Sequence, residues 1–210
     1  KEKTFIQELS GLAKDLLSMI KVPITLLAII LILLPIGTGA MANLWSAIAD
    51  DWEADADTVA LITGILSGLI SALGCVVGGN IADRRGIWFA YLASGIACAL
   101  VTIAMAAMPM NSSVYIGGVL FYAFTTGMVY AAFTSVLLFA IGKKHAATKF
   151  SLMGSLGNIS VVYMTSFNGW MHDQYNSKLM LTFEAVLGIV CVLLFIVVLR
   201  RLKYKKIILL

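Results

Sequence analysis

Six long apolar stretches joined by short connectors narrow the folds open to this chain more than anything else in it. They run over residues 22–49, 58–82, 87–108, 114–141, 150–171 and 179–199. One helical crossing of a bilayer takes about 20 apolar residues, so each stretch is long enough to span with some tilt. The runs are too long for barrel strands and lack the alternation such strands need, which excludes a β-barrel. The first run is interrupted at Pro35-Ile36-Gly37-Thr38-Gly39, the fifth is the most polar, and the sixth is the most uniformly apolar. Of the 210 residues, 60% are apolar and 12% charged. An ordinary soluble domain carries about twice that charged share. A water-soluble single core, a disordered chain and a nucleic-acid-binding protein are excluded on that ground. The predicted fold is an all-α integral membrane bundle of six transmembrane helices, with sequential neighbours antiparallel.

Residues 1–21 read differently. Phe5, Ile6, Leu9, Leu12, Ala13, Leu16, Leu17 and Ile20 fall on one helical face, and Lys1, Lys3, Lys14 and Lys21 lie among polar positions. That is the pattern of an amphipathic helix at a membrane surface or against partner helices. Residues 22–199 make up the transmembrane bundle and 200–210 a basic tail. Charge sets the orientation. Segments 1–21, 83–86, 142–149 and 200–210 hold 14 of the 15 Lys and Arg residues, and the opposite loops hold only Lys178. Those opposite loops carry Asp50, Asp51, Glu53, Asp55, Asp57 and Asp173. Positive charge marks the cytoplasmic side, so both termini are expected there.

No catalytic or metal-binding constellation is visible, and neither enzyme activity nor a cofactor is expected. His145 and His172 fall on opposite sides of the membrane without a ligand-spaced partner. Cys75, Cys98 and Cys191 lie inside apolar runs, where thiols pack as small hydrophobes. Ser67, in Gly64-Ile65-Leu66-Ser67-Gly68, has no histidine base at membrane depth to activate it.

Polar side chains inside the spans are the functional candidates, because each is costly unless partnered or facing water. Thr38, Asn43, Trp45 and Ser46 follow the Pro-Gly interruption, where a helix can unwind and present backbone groups at midplane. Tyr122, Thr126, Tyr130 and Thr134 recur every four residues and form one drifting stripe. Ser151, Ser155, Asn158, Thr165 and Asn168 mark a polar face of the fifth span, with Tyr163 to its side. From these sets Thr38, Asn43, Trp45, Tyr122, Thr126, Tyr130, Asn158, Tyr163 and Asn168 are the candidate substrate-cavity residues. Glu184 is the only carboxylate within an apolar run. It is a candidate proton site, although its nearness to the span end favours snorkelling or pairing with Lys178 or His172.

The glycines of the second span, Gly64 and Gly68, then Gly74 and Gly78, have the spacing of close helix contacts. At the junction that follows, Gly79-Asn80-Ile81-Ala82-Asp83-Arg84-Arg85-Gly86 reads G-x-x-x-D-R-x-G. Gly79 admits a neighbouring helix, Asp83 can accept from exposed N–H groups of a facing helix N-terminus, and Gly86 permits a tight reversal. Arg84 can hold that carboxylate or reach anionic headgroups.

This junction resembles the loop between the second and third helices of each six-helix half in the major facilitator superfamily. Ile87 and Trp88 stand where the family's closing basic pair would be, which is similar to the weaker copy in C-terminal halves. The stretch 1–21 resembles the cytoplasmic segment joining the halves, and the run from Leu34 to Trp45 is similar to bacterial members near the peptide and acetyl-coenzyme A transporters. A chain that begins at Lys1, not Met, is expected to be a piece of a longer one. The resemblance implies the C-terminal half of a twelve-helix secondary transporter in a bacterial inner membrane. Its partners would be the N-terminal half, the bilayer and a small-molecule substrate. It also implies that Gly79, Asp83, Arg84 and Gly86 latch one conformational end-state. The alternative is a complete six-helix substrate-binding subunit of a multi-component importer.

Overall fold

The computed structural model describes residues 22–141 and 146–201; the amphipathic stretch 1–21, His145 and the tail from 202 lie outside the described residues. Six helices follow one another: α1 (Pro23–Leu33), α2 (Ala56–Arg85), α3 (Ile87–Ala107), α4 (Ser112–Ile141), α5 (Ala146–Gln174) and α6 (Ser177–Arg201). Among the described residues there is no strand. The chain is an all-α membrane protein: α2, α3, α4 and α6 are each long and apolar enough to cross a bilayer.

Local chemistry sets the boundaries. Pro23 occupies the first turn of α1, where its missing N–H is not needed. Leu34 is extended because it precedes Pro35, which ends α1 after 11 residues. The Asp55 carboxylate caps α2 by accepting from the Thr58 N–H at 2.9 Å and the Thr58 hydroxyl at 2.7 Å. Those two bonds, the backbone one foremost, hold Asp55 below the ordinary carboxylate range. Gly86, at φ +89°, makes the reversal into α3. Asn111 and Asn176 cap α4 and α6, accepting from Val114 at 3.0 Å and Leu179 at 2.9 Å.

Two of the six expected crossings differ from expectation. The first, 22–49, is α-helical only over α1, about 16 Å or half the hydrocarbon thickness, and then bends irregularly into two short 3-10 turns at Ala40–Asn43 and Ala49–Trp52. The fifth is a continuous helix, α5, but its Ser, Thr and Asn content leaves it outside the set long and apolar enough to span. Within α2, residues Ala60–Leu66 are π-helical.

Packing is densest where glycines permit it. α2 lies chiefly on α4, and α3 lies between α4 and α6. A Cβ on Gly74 would fall on the Phe124 carbonyl, one on Gly78 on the Met128 backbone, and one on Gly127 on the Ser71 carbonyl. Helices in lipid gain most of their association from such close approach. Apolar clusters sit at both ends of the bundle. Trp88, stacked on Phe195 at 6.2 Å, anchors one, and Trp45, Trp52 and Tyr115 anchor the other.

Candidate functional site

From one apolar cluster to the other the chain leaves the α-helical path: Leu34 to Gly39 is unwound, and the 3-10 turn Ala40–Asn43 leads on to Trp45. Gly37 and Gly39 adopt left-handed conformations, at φ +56° and +75°. A non-helical backbone at membrane depth needs partners for its polar groups, and neighbouring helices supply them. Tyr163 of α5 donates to the Leu33 carbonyl at 2.7 Å, and Tyr91 of α3 to that of Ile36 at 3.4 Å. Thr165 donates to the Ala40 carbonyl at 3.5 Å, and Tyr115 of α4 to that of Trp45 at 2.9 Å. The Met41 N–H donates to the Tyr122 hydroxyl at 3.4 Å.

This fastened segment forms one wall of a cleft of about 310 Å³. Of the nine expected cavity residues, Thr38, Thr126, Tyr130 and Asn158 line it, joined by Ser71, Tyr91 and Phe133. Thr126 and Asn158 lie midway along α4 and α5, so the cleft opens at the middle of the bundle. Its lining is aromatic and hydroxyl- or amide-bearing, without a charged side chain. Asn43 and Tyr163 are exposed and brace the wall, Asn43 by donating to Thr165 at 3.1 Å.

Trp45, Tyr122 and Asn168 do not line the cleft; all three are buried. The stripe on α4 drifts as it climbs, so Tyr122 faces the interior while Thr126 and Tyr130 face the cleft. Glu184 joins this buried group. It lies seven residues into α6, about 10 Å along the helix, and neither snorkels nor pairs with Lys178 or His172. Glu184 Oε2 accepts from Asn168 Nδ2 at 2.8 Å and Oε1 from the Tyr122 hydroxyl at 3.2 Å. His172 instead sits 3.2 Å from Asp51, which also accepts from buried Ser177.

No protein-family model matches the chain, and no curated protein matches it in sequence.

At the α2–α3 junction, Gly86 makes the expected reversal, and Asp83 and Arg84 are exposed. Gly79 differs from expectation. Nothing lies within 4 Å of where its Cβ would be, and the close contact with α4 belongs to Gly78, one position earlier. The first-half pair, Gly64 and Gly68, also faces open space.

Sequence reading missed Tyr91 and Tyr115 as site residues. Each is a tyrosine within a span, and a buried phenol at membrane depth needs an acceptor. The unwound segment, the obvious source of spare carbonyls, was visible in its Pro-Gly run.

Proposed function

We propose that the chain is the C-terminal six-helix half of a major facilitator superfamily transporter, moving a small solute by alternating access. The cleft carries this reading. An unwound, hydroxyl-fastened segment meets uncharged polar side chains of α4 and α5 halfway along their length, the arrangement that suits a midplane solute site. The G-x-x-x-D-R-x-G junction supports the family, and the 14-to-1 distribution of basic residues supports termini on the cytoplasmic side of a bacterial inner membrane. The N-terminal half would close the cleft from the opposite side. Asp83 and Arg84, exposed at the end of α2, are then free to latch helices of one end-state.

The test uses the native polypeptide carrying this sequence. Its intact mass should be about twice what 210 residues account for; a mass matching 210 residues would favour the self-contained importer subunit. In a full chain with Cys75, Cys98 and Cys191 replaced, an Asn158→Cys probe should react with an impermeant maleimide from either face of the membrane. Labelling from one face only, under all conditions, would overturn alternating access.

A further inference from the structure

Glu184 is 9% exposed, and among the described residues no Lys, Arg or His forms an ion pair with it. A carboxylate away from water and from any cation is costly in its charged form, and a bound proton removes that cost. Its surroundings suit both forms. Tyr122 and Asn168 donate to the ionised carboxylate. Asn168 is fully buried and its Oδ1 has no partner, so no oxygen bond holds the amide in one orientation. Turned over, the same amide presents Oδ1 to an acid O–H.

Beside Glu184 lies a hollow of about 10 Å³ lined by Pro35, Gly37, Cys98 and Gly188 among others. That is the lower limit for one water and too small for a hydrated metal ion. Gly37 lines both this hollow and the cleft, so a single turn of chain separates the carboxyl from the candidate solute site. The titratable groups facing Glu184 are Cys98 of α3 and Tyr122 of α4. α5 presents the amide of Asn168, and the unwound segment presents Pro35 and Gly37.

The same two donors also hold the unwound segment. Tyr122 accepts from the Met41 N–H, and Asn168 Nδ2 lies 3.6 Å from Met41 Sδ. Trp45, four residues on, packs T-shaped against Tyr122 with ring centroids 5.2 Å apart. We propose that Glu184, Asn168 and Tyr122 form a proton-binding site, and that the proton it holds sets the position of the Met41 turn and so of one cleft wall. The link to solute rests on the cleft being the transport site; the proton site and its grip on Met41 do not.

The experiment uses the full chain in lipid, with infrared difference spectra recorded as the pH is stepped from about 4 to about 10, a range spanning ordinary carboxyl and phenol titration. A carboxylic-acid carbonyl band should appear and vanish with pH and be lost in Glu184→Gln. Tyr122→Phe, which removes one donor to the ionised form, should strengthen proton binding about tenfold or more. This second variant keeps the fold nearly isosteric and gives an independent reading. In protein carrying 5-fluorotryptophan, the Trp45 resonance, assigned with Trp45→Phe, should move along the same titration. No titrating band sensitive to Glu184→Gln would overturn the site. A titrating Glu184 with an unmoved Trp45 resonance would overturn the coupling to the wall. None of these readouts involves transport, so failure here and failure of the transporter reading are told apart.

Discussion

The Tyr163 hydroxyl donates to the Leu33 carbonyl oxygen at 2.7 Å and so ties the broken end of α1 to α5. Tyr163→Phe removes that bond while keeping the ring. The loss should cost about 0.5–1.5 kcal/mol, read as a lower melting temperature in detergent, with Tyr175→Phe at the exposed end of α5 as an unaffected control.

The glycines of α2 should divide sharply. Gly78→Val drives a side chain into the Met128 backbone of α4 and should destabilise by about 1–3 kcal/mol or more. Gly68→Ala meets open space and should be neutral, or stabilise by about 0.5–1 kcal/mol through helix propensity alone. Thermal unfolding of the two variants side by side checks the contrast.

Tyr130 is two-thirds exposed at 66% and lines the cleft. Tyr130→Ala should leave stability within about 0.5 kcal/mol while lowering solute uptake in membrane vesicles. A melting temperature that falls together with uptake would assign Tyr130 to packing.

The cap of α2 carries a pH signature. Asp55 is held below the ordinary carboxylate range, so its contribution is complete above about pH 4 and is lost as the pH falls through its lowered value. Asn caps without titrating. The difference in melting temperature between wild type and Asp55→Asn should therefore be constant near neutrality and shift against the wild type at acid pH.

Asp83→Asn should change the ratio of inward to outward labelling of an Asn158→Cys probe without loss of folded protein. An unchanged ratio would remove the latch role from Asp83.

What the sequence made legible was set by patterns that a single helix carries on its own. Apolar length gave the helical bundle, Pro35 with Gly37 and Gly39 marked the break, and Gly74 and Gly78 marked a close contact. What it could not resolve depended on rotation about a helix axis. Gly78 and Gly79 differ by one position, yet one meets α4 and the other faces open space. Tyr122 and Thr126 share a row, yet the row drifts from the interior to the cleft over that single turn. Glu184 lies near the end of its span along the chain, yet Tyr122 and Asn168 converge on it from two other helices, a depth that position along one helix does not reveal.

The stretch from Leu34 to Trp45 has one 3-10 turn of its own, and single hydroxyl bonds from neighbouring helices fasten the rest of its backbone where an α-helix would have a continuous ladder. A helix yields as a unit, because the bonds of one turn support those of the next. Separate fastenings, each worth about 1 kcal/mol, come undone one at a time. Shifting this wall then means breaking a few separate bonds and unpacking the buried Ile36, Met41 and Trp45 side chains, with no turn of a long helix to unwind.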